Sequence, residues 1–256
     1  MMFELTERRP PLEVPETEYR RLLGYPPYRQ PAGRARELAD AAQKWFHENG
    51  SPWIFAREIG PLNLEDGRVV LGGTEFSAGR LHGLLSETQA HGAVLVAVSA
   101  GKECEEHACE LWREDKPDEY FFLEVFGSAV VEHLLALARG RICGWADENQ
   151  AAVLPHCSPG LAGWNIAEQT LLWNLIRPSA SGCLPGELEV LESGMLRPKK
   201  SQLAVFGLTR EVEKARRYAK LIPCEDCALP ICQYRRTTRR SVQPGRPNGP
   251  PLPRSS

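Results

Sequence analysis

Soft ligands crowd together near the end of the sequence, where Cys224-Glu-Asp-Cys227-Ala-Leu-Pro-Ile-Cys232 places three thiols within nine residues. Thiolates at C-x2-C spacing can both reach one tetrahedral metal, so the run offers three ligands to zinc or to an iron-sulfur cluster. A fourth must come from elsewhere in the fold: Cys143, Cys157 or Cys183, or His156 in the case of zinc. The alternative is three reduced thiols beside a polar tail. Cys104 and Cys109 complete the eight cysteines and are read as packing residues.

A second chemistry belongs to two loops. Pro159 has a fixed φ and Gly160 has no Cβ, so the string through Ser158, Pro159, Gly160, Trp164 and Gln169 can bring backbone close to a flat ligand or a partner. The second string, Glu192, Ser193, Lys199, Lys200 and Ser201, surrounds Gly194 and Pro198, which must turn the chain. Its lysines can neutralise a phosphate or a partner carboxylate, or can form a solvated surface. His47, His82, His91, His107 and His133 are spread singly, and neither a phosphate loop nor a nucleophile elbow occurs.

These residues need elements to hold them. Apolar positions at three- and four-residue steps predict helices over Glu16 to Leu23, Gly33 to Asn49, Ser77 to Gln89, Glu103 to Glu114, Pro117 to Ala138, Ala167 to Ile176 and Glu211 to Leu221. Strands are expected at Ile54 to Ile59, at Arg68 to Leu71 after the Asp66-Gly67 turn, at Glu187 to Glu192 and at Ser201 to Leu208. Ala93 to Val98 reads as a strand buried on both faces.

Composition bounds the function. With 42% hydrophobic residues over 256 positions the chain can build a core, and a net charge of -2 excludes a general polyanion binder, so neither nucleic acid nor membrane is expected as a partner. The strongly apolar runs at Ala93 to Val98 and Ala129 to Leu137 fall short of the roughly 20 residues a membrane helix needs. Met1 to Pro11 carries Glu4, Glu7, Arg8 and Arg9 where a signal peptide has its apolar core, so a reducing, cytoplasmic setting is expected. After Cys232 the chain holds six Arg, five Pro and no acid, the composition of a disordered tail.

The strings Ser158-Pro159-Gly160-Leu161-Ala162-Gly163-Trp164 with Gln169, and Leu191-Glu192-Ser193-Gly194-Met195-Leu196-Arg197-Pro198-Lys199-Lys200-Ser201, resemble the activation domain of cobalamin-dependent methionine synthase. Stand-alone relatives of that domain resemble the chain more closely. They share pieces like Glu18 to Tyr25, Val98-Ser99-Ala100-Gly101 and Leu123 to Ala129, and a cysteine-rich end like Cys224 to Arg236. The resemblance implies a single α/β (α+β) domain with a twisted, mainly antiparallel sheet flanked by helices. It divides the chain into a flexible N-terminus (1–11), an activation-like domain (12–221), a Cys-rich segment (222–236) and an Arg/Pro-rich tail (237–256).

The implied function is docking on a cobalamin (corrinoid) protein and support of its reductive reactivation, with the cobalamin carried by the partner and S-adenosylmethionine as the family's methyl donor. Residues implied to face the ligand or corrinoid are His156, Ser158, Pro159, Gly160, Trp164, Gln169, Glu192, Ser193, Lys199, Lys200 and Ser201. The pattern departs from the family at three places: His156 stands for an arginine, Leu161 for a tyrosine and Ser128 for a glutamate. Losing a guanidinium, an aromatic face and a carboxylate removes groups suited to an amino-acid carboxylate and a cationic sulfur, so weak or no S-adenosylmethionine binding is expected. The alternative function is a zinc- or iron-sulfur-binding electron-transfer or assembly protein on the same fold, held by Cys224, Cys227 and Cys232.

Overall fold

The computed structural model describes residues 2–26, 28–161, 163–177 and 184–219. In chain order it contains β1 (Glu4–Arg8), α1 (Glu16–Leu22), α2 (Arg34–Asn49), β2 (Trp53–Ile59), β3 (Leu62–Glu65), β4 (Arg68–Leu71), β5 (Thr74–Phe76), α3 (Gly79–Glu87), β6 (Gly92–Ser99), α4 (Lys102–Arg113), α5 (Pro117–Glu148) and β7 (Ala152–Val153). A 3-10 turn (Ile166–Glu168) then leads into α6 (Gln169–Ile176), β8 (Glu189–Val190), β9 (Leu196–Arg197), β10 (Ser201–Thr209) and α7 (Val212–Ala219).

Five strands form one antiparallel sheet in the order β1-β2-β6-β10-β7. β6 lies at its centre and every one of its residues is buried, as its unbroken apolar run requires. Val94, Val96 and Val98 enter a core with α1, α2, α4 and α5, while Ala93, Leu95 and Ala97 enter a second core under β4, β5, α3, α6 and α7. Phe126 is fully buried in the first core, edge-on to Tyr19 at 5.0 Å and to Phe46 at 5.5 Å. The Tyr19 hydroxyl donates to the Phe122 carbonyl at 3.0 Å, which satisfies the one polar atom of that buried ring. The α/β architecture matches the sequence expectation.

Four details differ from it. The N-terminal segment is not free: Glu4–Arg8 pairs antiparallel with β2 as an edge strand, so the domain begins before Leu12. Its charged, half-exposed alternation hides the strand from hydropathy and protects the edge. The helix expected to end at Ala138 runs on to Glu148, since Ile142 and Ala146 continue the buried face. α5 is therefore long and apolar enough to cross a membrane, yet 61% of its most apolar window is buried in the protein, and its apolarity serves the core. Finally, the strand expected at Glu187 to Glu192 shrinks to Glu189–Val190, paired with Leu196–Arg197 in a small hairpin.

Candidate functional site

Three of the sequence strings meet at one end of the sheet. Ser201 lies opposite Ser99 in the β6–β10 register, its hydroxyl donates to Ser99 Oγ at 2.8 Å, and Ser99 Oγ accepts the Gly101 N–H at 3.1 Å. The turn after β6 is thereby tied to the start of β10. Lys200 points toward α5, where its ammonium donates to Ser128 Oγ at 2.9 Å and pairs with Glu124 at 3.2 Å. Lys199 reaches the same carboxylate at 2.9 Å, lies 5.4 Å above the Tyr120 ring, and gives its backbone N–H to Glu105 of α4 at 2.7 Å. Burial alone would lower the Lys199 pKa, but the Glu124 carboxylate and Tyr120 together more than offset that, and the ammonium titrates above its ordinary value. The lysine pair is a clamp between α5 and the β9–β10 turn.

The loop after β7 runs along the open side of β10. Cys157 exchanges backbone hydrogen bonds with Val205, and the Gln202 amide donates to the buried Ser158 hydroxyl at 3.0 Å. His156, half-buried, sets its ring 5.4 Å from Phe206 on the α5 side of the sheet. Pro159 is buried and Gly160 is exposed, with φ +85°. The expected ligand-facing position of Trp164 gives way to an internal one: it packs edge-on to Phe76 at 5.6 Å and donates its indole N–H to Glu168 at 2.8 Å. A buried indole needs that acceptor. Gln169 is likewise buried, donating to the Gly194 carbonyl at 3.1 Å.

Ile166 joins the two loops. A Cβ on Gly160 would come within 2.9 Å of its Cδ1, and one on Gly194 within 2.9 Å of its carbonyl oxygen. Glycine at both places is thus accounted for by positive φ and by internal packing. Glu192 and Ser193 are exposed at the hairpin tip, where Ser193 Oγ accepts the Met195 N–H at 3.4 Å. On these loops Leu161 is 51% and Met195 54% exposed, so the face they share is apolar at its tips and internally satisfied behind them.

Sequence reasoning gave no role to Glu124, Glu105, Glu168, Ile166 or Gln202. Glu124 lies within the piece from Leu123 to Ala129, but its link to the lysines spans the chain and has no local signal. A groove of about 730 Å³ lies beside this face, between α4 and the β8–β9 hairpin, and takes in only Arg197 and Pro198 of the second string. Cys183, Cys224, Cys227 and Cys232 lie outside the described residues. Among the described residues, no group of three or more His, Cys, Asp or Glu side chains is arranged to hold a metal ion.

Among solved structures, the fold is similar to the crystal structure of the MetH reactivation domain bound to AdoHcy. It aligns with 68% of this chain and 65% of its own at a TM-score of 0.50. The chain has a fold similar to that of the MetH reactivation domain. Identity to that domain is 13%, so the likeness is one of fold, and the chain spans about two thirds of the reactivation domain's length. No family model and no curated protein matches the sequence.

Proposed function

We propose that this chain docks on a corrinoid protein and supports its reductive reactivation, using the face built from the loops around Gly160 and Gly194. The observation that carries this reading is the meeting of both loops on Ile166, in a fold similar to that of the MetH reactivation domain. Leu161 and Met195 supply exposed apolar contact, while the Gln202–Ser158, Gln169–Gly194 and Trp164–Glu168 hydrogen bonds keep the loops rigid, so little ordering entropy opposes association.

S-adenosylmethionine binding is weak in this reading. The fold neighbour binds AdoHcy, but here Lys200 donates to Ser128 Oγ and Gln202 to Ser158 Oγ, so a ligand must break internal bonds to use those atoms.

Calorimetry against a corrinoid domain of methionine synthase, with and without its cobalamin, tests the docking. Tighter binding of the cobalamin-loaded form is expected, because the exposed corrin adds a flat contact, and equal affinity for both forms defeats the proposal. A parallel titration with S-adenosylmethionine is expected to show no binding at micromolar concentration; saturation there would mean that the internal bonds yield to the ligand.

A further inference from the structure

The first turn of α3 adjoins the Gly160 loop. Glu168, on the 3-10 turn, accepts the Ser77 N–H at 3.0 Å and the Trp164 indole N–H at 2.8 Å, which ties the chain entering α3 to the segment that follows Gly160. Arg80 lies against Gly163 there: a Cβ on that glycine would come within 3.0 Å of the Arg80 Cβ and 3.4 Å of its backbone nitrogen. Gly163 is exposed, so a group approaching Arg80 from this side meets no side chain at that position.

The Arg80 guanidinium is half-buried and, among the described residues, has no ion pair and no hydrogen bond. The cations of the two motif loops differ in this, since Lys199 and Lys200 are held by Glu124 and Arg197 by Glu189. Glu168, the acid on the adjoining turn, is committed to its two N–H donors and forms no ion pair among the described residues. The Arg80 charge is felt at Cys157: burial pushes that thiol up and the guanidinium works against it, so the charge lies close to the loop that carries Ser158 and Gly160. A partly desolvated guanidinium gains from an anion, and its planar fork matches a carboxylate.

We infer that Arg80 is the charged anchor of the docking face and takes an Asp or Glu carboxylate of the corrinoid protein in a bidentate pair, while Leu161, two residues from Gly163, makes the apolar contact beside it. The inference rests on the docking reading and adds the chemistry of the partner, an acidic side chain bordered by an apolar patch. A carboxylate carried by a protein fits better than a free anion, because the site is open over Gly163 and adjoins exposed apolar surface that a small ion would leave uncovered.

Calorimetry with the cobalamin-loaded corrinoid domain of methionine synthase compares the full wild-type chain with Arg80→Gln and Arg80→Lys. Arg80→Gln is expected to bind about tenfold more weakly, and Arg80→Lys in between, since an ammonium keeps the charge but lacks the planar fork. Raising salt from about 50 to about 300 mM should weaken the wild type more than Arg80→Gln, because screening removes an attraction that the variant lacks. Melting temperatures should match, as Arg80 has no polar partner among the described residues. Undiminished binding by Arg80→Gln, with the wild type docking, overturns the inference and leaves the docking reading standing; no binding by the wild type overturns both. A loss seen with the loaded domain and absent with the cobalamin-free one places the anion on the cobalamin and also overturns the inference. So does a melting temperature lowered in both variants, which assigns Arg80 to the fold.

Discussion

Gly160 and Gly194 share a left-handed backbone, at φ +85° and +82°, and differ in what a methyl group would strike. At Gly160 it meets the Cδ1 end of Ile166, a side chain that can turn away; at Gly194 it meets the Ile166 carbonyl, which cannot. Gly160→Ala is therefore expected to cost about 1–2 kcal/mol, the backbone term alone. Gly194→Ala should cost more, about 3 kcal/mol, through added steric strain. Urea denaturation measures both, and the reverse order would place the critical packing elsewhere. The thiols behave just as unequally. Burial pushes Cys104 up to about 12, helped by the nearby Glu124 charge, and Cys157 up to about 11. A folded thiol that keeps its proton while the unfolded one loses it near 9.0 contributes stability below that pH, and this is lost as pH rises through the folded value. Melting temperature should fall between about pH 9 and 12, with a shallower fall in Cys157→Ala.

α5 and β10 are separate elements made into one unit by Glu124. The carboxylate holds two ammonium groups, and its pairing with Lys200 is well shielded, at 15% and 14% side-chain exposure. Glu124→Gln keeps the shape but leaves both lysines short of a charge, so a loss of about 2 kcal/mol is expected by chemical denaturation. Lys199→Met should cost less, because Lys199 is more exposed, at 33%. The core behind the clamp is more demanding. Phe126→Ala removes a ring packed against α1 and α2, for an expected loss of about 3–5 kcal/mol.

Viewed whole, the molecule presents its motif loops and the groove between α4 and the β8–β9 hairpin at neighbouring positions, on a frame whose two cores are separated by one sheet. Docking through the loops leads to a specific expectation: Leu161→Asp and Met195→Asp should each weaken corrinoid-domain binding about tenfold or more while leaving the melting temperature unchanged, since both side chains are exposed. Elements whose signals are local are legible from their own residues. The β-branched run of β6, the three- and four-residue steps of α2 and α4, and the Asp66-Gly67 turn, with φ +46° and +80°, each need only near neighbours to specify their conformation. The clustering of Ser158, Gly160, Gly194 and Lys200 was legible only as strings. Tertiary structure alone decided which polar groups satisfy one another, because Lys200 and Ser128 are 72 residues apart and become partners only when the sheet lays β10 against α5. It also decided that β1 is a strand. A segment with charges at Glu4, Glu7 and Arg8 buries too little to declare itself, and pairs because β2 offers it an unfilled row of backbone donors and acceptors.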